Sequence, residues 1–299
     1  MQSLKSRLFL WLTKRSLQKM AKLPSVDAVR EERDRTAPKV LKFPMGVVSE
    51  TVNIAGCNAQ WLIPDGCDDE RILLYFHGGA YVTGSCLTHR ALAAQLAQKA
   101  GVKGLIFDYR LAPENPYPAA LDDAVAIYQS LRKDFPNAQI AFAGDSAGGG
   151  LALATAIALQ QQQQIMPVAL ALMSPWIDLT LSADTHITKA AVDPYFPDKQ
   201  RLSEAAADYC VDTPLNDPGV SPLFASLEGL PPMLVHTGGR EALLDDSKLL
   251  VDKVRSRSGQ AELKIWPRMW HVWQAFCGHF READESVSEL SDFVSTHMA

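Results

Sequence analysis

No stretch of this sequence approaches the roughly 20 consecutive apolar residues that cross a bilayer, so a transmembrane segment is not expected. The short apolar run at 8–12 falls below the roughly 7–15 residues of a secretory core, and no A-x-A-like site follows it. Cysteine is scarce: Cys57, Cys67, Cys86, Cys210 and Cys277 make an odd set of five without CxxC or any other metal spacing. That excludes a zinc or redox motif read from spacing, and reduced thiols in a cytoplasmic protein are the expectation. Positive charge is not in excess either. With 29 Lys and Arg against 34 Asp and Glu, the net charge is -5, so no global basic field argues for nucleic acid.

Apolar residues, at 47% of 299, are plentiful enough for one large core. Strand-like runs fall at 71–76, 102–107, 140–144, 168–173, 233–237 and 262–266, and 48–63 reads as an edge hairpin broken at Gly56. Helix-like runs lie between them, near 88–99, 119–135, 147–162 and 243–257, and 282–297 closes the chain. This alternation implies an α/β fold with a mostly parallel central sheet and helices on both faces. Sites in such sheets lie beyond the strand C-termini.

Chemistry is concentrated in Phe-Ala-Gly-Asp-Ser-Ala-Gly-Gly-Gly, residues 142–150. Gly144 and Gly148 bracket Ser146 as G-x-S-x-G between a strand-like run and a helix-like one. On such a turn the serine hydroxyl stands above the sheet beside a helix N-terminus, whose free N–H groups favour an anion. The same letters also fit a glycine-rich packing turn. A second strand-like run ends in His77-Gly78-Gly79-Ala80-Tyr81, where paired glycines let backbone N–H groups approach a developing oxyanion. His77 is expected to pin that loop.

His77-Gly78-Gly79 followed by Gly144-Asp145-Ser146-Ala147-Gly148-Gly149 resembles the bacterial hormone-sensitive-lipase-like esterases, a branch of the α/β-hydrolases. The segments Asp108-Tyr109-Arg110-Leu111-Ala112-Pro113-Glu114, Ser174-Pro175-Trp176 and Ser221-Pro222-Leu223 are similar to that family too, from about Leu74 to the C-terminus. The resemblance implies a serine carboxylic ester hydrolase without metal or organic cofactor, acting on short-chain esters. By it, Ser146 is the nucleophile and Gly78, Gly79 and Ala147 supply the oxyanion donors. Ala80 departs from a usual third glycine; it costs little if its φ is negative, and loop shape and substrate range are expected to be affected more than competence. His271, after the last strand, matches the base. Glu241 holds the place of the orienting acid, where aspartate is commoner, with Asp245 as the other candidate. Asp145 is expected to support the loops by hydrogen bonds, and Tyr81 and Trp176 to wall the pocket or to be plain core. A lactone, N-acetyl or formyl amide would suit the same machinery. The family also resembles plant gibberellin receptors, which lack the histidine that His271 provides here.

Two segments stand outside the alternation, giving 1–45 as an N-terminal cap segment, 46–178 and 222–299 as the two parts of the hydrolase domain, and 179–221 as a cap insertion. The resemblance implies that both cap pieces cover the serine. In the first, Lys5, Arg7, Lys14, Arg15, Lys19 and Lys22 precede any acid, and Leu4, Leu8, Trp11 and Leu12 share one helical face. That face is expected to pack on the body, with contact to an anionic membrane as the alternative. The tract 160–164 reads as a solvated helix end. A homodimer through an edge strand follows from the resemblance alone.

Overall fold

The computed structural model describes residues 2–299. Eight strands form one sheet: β1 (Val47–Ile54), β2 (Cys57–Pro64), β3 (Asp68–Phe76), β4 (Val102–Phe107), β5 (Gln139–Asp145), β6 (Leu170–Met173), β7 (Met233–Gly238) and β8 (Ala261–Trp266). Their order is β1-β2-β4-β3-β5-β6-β7-β8. The first two pairings are antiparallel and all others are parallel. At the hairpin tip Ala55 and Gly56 both take positive φ, +52° and +86°, the twist that a two-residue turn requires.

The parallel strands are apolar on successive residues because both faces are covered. In β3, Ile72, Leu74 and Phe76 point into one core, and Leu73 and Tyr75 into another. The first core is closed by α4 (Ala119–Asp134), α5 (Ala147–Gln161) and α8 (Leu244–Ser256). The second is closed by α3 (Cys86–Ala100) and α9 (Arg281–His297). Helix limits follow local chemistry. Ser85 and Thr88 form a capping box at the start of α3, and Gly101 ends it at φ +69°. The start of α5 has no side-chain cap, so its first N–H groups stay available.

The remaining helices are α1 (Leu4–Met20) and α2 (Val26–Val40) ahead of the sheet, and α6 (Thr185–Thr188) and α7 (Gln200–Tyr209) between β6 and β7. Helix α1 packs on the body through a face other than the one its leucine spacing suggests. Phe9 sits on Phe276 and Phe280 with ring centroids 5.1 and 5.7 Å away, Ser6 and Thr13 are buried, and Ser3 donates twice to the Glu282 carboxylate. Most of the predicted packing face is turned outward: Leu4, Leu8 and Trp11 are 82%, 53% and 53% exposed, while Leu12 borders the cavity. The inner face carries bulk enough in Phe9 and Leu10 to join the Trp270 and Trp273 cluster, and that contact sets the rotation of the helix.

Candidate active site

Four loops leave the C-terminal ends of neighbouring parallel strands and converge. The β5–α5 turn carries Ser146 at φ +54°, ψ -126°, a backbone geometry rare for a residue with a side chain and held here by tertiary contacts. Met173 O accepts from Ser146 N at 2.9 Å, and Ser146 O accepts from Trp176 N at 2.9 Å. At Gly148 a Cβ would overlap the carbonyl oxygens of Phe76 and His77, so only glycine lets α5 start this close to β3.

The loop after β8 brings His271 to the serine, with Nε2 3.0 Å from Ser146 Oγ. The loop after β7 places Glu241 behind the imidazole, its Oε2 3.8 Å from Nδ1, an ionic contact longer than a hydrogen bond. Glu241 is fixed by hydroxyls: Ser174 Oγ donates to Oε2 at 2.8 Å, and Thr237 Oγ1 donates to Oε1. Asp245, the other candidate acid, lies on α8 and pairs with Lys248 at 2.8 Å. It takes no part in the cluster.

Beyond β3, Gly79, Ala80 and Tyr81 run at φ +132°, +56° and +64°. The condition under which Ala80 would cost little, a negative φ, is not met: the loop takes positive φ at three successive positions, and an alanine occupies one of them. A Cβ on Gly79 would overlap the Thr83 carbonyl. The donor assignment changes as well. Gly78 N donates to Asp145 Oδ1 at 3.1 Å and is committed there, whereas Gly79 and Ala80 border the cavity beside Ser146. Asp145 is buried and also accepts from Tyr75 Oη at 2.7 Å, tying the serine strand to the glycine loop. His77 pins the same loop, its Nδ1 2.9 Å from Gly78 O and its ring stacked 4.1 Å from Tyr109.

The cavity in front of Ser146 and His271 has a volume of about 750 Å³ and is lined by residues of both α1 and α2. Phe9, Leu17, Val29, Phe196 and Phe276 give it mostly apolar walls. Tyr81 and Trp176 do not border it. Both are buried, Tyr81 stacking on Tyr209 at 3.9 Å and Trp176 donating to Asp178 O at 3.1 Å, so they act as core beneath the site.

A family model described as alpha/beta hydrolase fold matches residues 73–275. The chain belongs to the α/β-hydrolase family. Its branch is the bacterial hormone-sensitive-lipase one. An esterase of that branch superimposes with a TM-score of 0.93 at 34% identity, covering 100% of both chains. Among curated relatives, an esterase of Acinetobacter venetianus is 38% identical over 228 residues, 76% of this chain and 75% of its own. An acetyl-hydrolase of Streptomyces hygroscopicus is 36% identical over 248 residues, 83% of this chain and 82% of its own.

The electrostatics of this hydrolase centre on His271. Burial alone would lower its pKa, but Glu241, with the Asp193 and Asp145 carboxylates further off, outweighs burial and raises it above the ordinary 6.5. Asp193 is a residue that sequence reasoning missed. Its own pKa is raised by burial. It accepts from Ala242 N at 2.7 Å and from Tyr195 N and Phe196 N at 2.7 and 3.2 Å. It thus joins the residue after Glu241 to two rings that pack 5.4 and 5.1 Å from the His271 imidazole. The sequence signal was the Asp-Pro-Tyr turn at 193–195, which marks an Asx turn but names no partner. Ser174 was also missed as a support of Glu241, although its Ser-Pro-Trp segment carried part of the family resemblance.

Proposed function

We propose that this chain is a serine carboxylic ester hydrolase in which Ser146 is the nucleophile, His271 the general base and acid, and Glu241 the orienting acid. The observation that carries the reading is the 3.0 Å contact between His271 Nε2 and Ser146 Oγ, with Glu241 on the far side of the ring. Ser146 Oγ attacks the ester carbonyl carbon as its proton passes to His271 Nε2. The resulting oxyanion lies against the N–H groups of Gly79, Ala80 and Ala147, each such donor contributing about 3–4 kcal/mol at the transition state. Collapse breaks the bond to the alcohol oxygen, which takes the proton from His271. Water, deprotonated by the same imidazole, then cleaves the acyl-serine, releasing the acid and restoring the hydroxyl. Glu241 keeps Nδ1 protonated and stabilises the imidazolium.

Small uncharged esters are the substrate class. A cavity of about 750 Å³ with mostly apolar walls suits them. The short-chain preference rests on the family, and a relative named as an acetyl-hydrolase supports it. A cytoplasmic site of action belongs to this reading as well.

A panel of p-nitrophenyl acetate, butyrate and octanoate tests it. The expected result is hydrolysis with kcat/KM greatest for the two shorter esters and a loss of about 10⁴-fold or more in Ser146→Ala, with the thermal midpoint retained. Equal rates for wild type and Ser146→Ala would end the proposal.

A further inference from the structure

Helix α1 has two apolar faces, and one of them covers nothing. The inner face roofs the cavity with Phe9, Leu17 and Met20. The outer face carries Leu4, Leu8 and Trp11, at 82%, 53% and 53% exposure, one turn apart along one side of the helix. Lys5, Arg7, Lys14 and Arg15 are exposed around them, and among the described residues none has a carboxylate within 4.0 Å. Arg15 lies 5.3 Å over the Trp11 ring, while Lys19 turns away to Glu32 at 3.0 Å. Six cations precede the first acid, Asp27, in a chain whose net charge is -5. Positive charge is thus gathered at one end of an acidic molecule, on the helix that also exposes leucine and tryptophan.

We propose that this outer face of α1 docks on an anionic lipid surface, lying in the interface plane with Leu4, Leu8 and Trp11 among the acyl boundary and the four free cations at the headgroups. Scattered exposed leucines are ordinary; a tryptophan and two leucines in one line within a ring of unpaired cations are the pattern of an interfacial helix. A second copy of the chain fits the charge poorly, since two such rings would face each other across a symmetric contact. The inner face of the same helix lines the cavity, so docking would hold the site within one helix of the lipid surface.

Flotation of the full chain with vesicles of phosphatidylcholine alone, or with about 30% phosphatidylglycerol, tests the proposal without reading activity. Binding to the anionic vesicles is expected, with at least about a tenfold loss when salt is raised from about 0.1 M to about 0.5 M. Two variants are made, Leu8→Glu/Trp11→Glu and Lys5→Glu/Arg7→Glu/Lys14→Glu. Each is expected to bind at least about tenfold more weakly and to turn over p-nitrophenyl butyrate in solution at the wild-type rate. On binding, Trp11 emission should shift to the blue, and Trp11→Phe should bind without that shift. Equal partitioning to neutral and anionic vesicles, or variants that bind as well as wild type, would overturn it. So would a wild-type dimer that ignores vesicles and that Leu8→Glu/Trp11→Glu dissolves, since the face would then join two copies. Loss of ester hydrolysis with vesicle binding intact would strike the functional reading and leave this one standing.

Discussion

At the scale of single residues, what distinguishes this site is the distance between Glu241 and His271. A contact of 3.8 Å leaves Nδ1 without a hydrogen-bond partner, and such contacts are often long before substrate is bound. The carboxylate is already held by Ser174 and Thr237, so the shortening is expected to come from the imidazole side. Replacement of the acid separates charge from shape. Glu241→Gln keeps the size but removes the anion, and kcat is expected to fall by about 10⁴-fold. The pH dependence has a definite sign. His271 accepts a proton only when neutral, and its pKa is raised above 6.5 mainly because Glu241 and the neighbouring carboxylates outweigh burial. The rate should therefore fall as pH drops through a value above 6.5, and that limb should move to lower pH in the residual activity of Glu241→Gln. A wild-type kcat/KM profile flat down to pH 5 would contradict the assignment.

At the scale of elements, α2 behaves as a brace for the glycine loop. Arg30 donates from Nε to Val82 O at 2.8 Å, from Nη2 to Ala112 O at 2.7 Å, and to both oxygens of Glu114 at 2.8 Å. One turn on, Arg33 donates to Thr83 Oγ1 at 2.6 Å, Thr83 Oγ1 donates to Gly79 O at 3.0 Å, and Ser85 Oγ donates to Asp34 Oδ1 at 2.6 Å. Three consecutive positive-φ residues, 79–81, store strain that such outside bonds must hold. Arg30→Ala leaves two backbone carbonyls without their charged donor. It is expected to cost about 2 kcal/mol of stability and to lower kcat more than it raises KM, because the N–H groups proposed to meet the oxyanion would lose their aim. Thermal denaturation and steady-state kinetics on the same sample check both halves. A fall in stability with kcat unchanged would show that the brace serves the fold alone.

At the scale of the whole molecule, two histidines buried in the sheet region set a limit on the acid side. Burial, aided by the His89 charge, lowers the His77 pKa to about 4, and burial with Lys264 nearby lowers that of His236 to about 3. In the unfolded chain both titrate near 6.5. Between 6.5 and these depressed values the unfolded state binds more protons than the folded one, so stability falls as pH falls. By pH 4 each contributes a loss of about 3 kcal/mol. Urea unfolding between pH 7 and pH 4 should show the free energy dropping by several kcal/mol, and His236→Gln should flatten the slope. An unfolding free energy constant over that range would refute the argument.

Much of this architecture was legible in the chain itself, because local signals report local causes. Apolar runs covered on both faces mark parallel strands, and each strand predicted from them is present within a few residues. G-x-S-x-G between a strand and a helix marked Ser146, because a turn that tight leaves no room for a Cβ at Gly144 or Gly148. What the chain could not express was which atoms meet. Gly78 reads like an oxyanion donor until Asp145 is seen to occupy its N–H, and Ala80 reads like an ordinary alanine until its neighbours force φ to +56°. Tyr81 and Trp176 lie beside the motifs in sequence but beneath the site in space. The periodicity of α1 marks the face of Leu4, Leu8 and Trp11, and only the packing of Phe9 against Phe276 and Phe280 turned that face outward. Periodicity and turn chemistry act over a few residues and are written in order along the chain. Donor commitment, backbone strain and helix rotation arise from contacts between segments far apart in that order, so only the folded protein settles them.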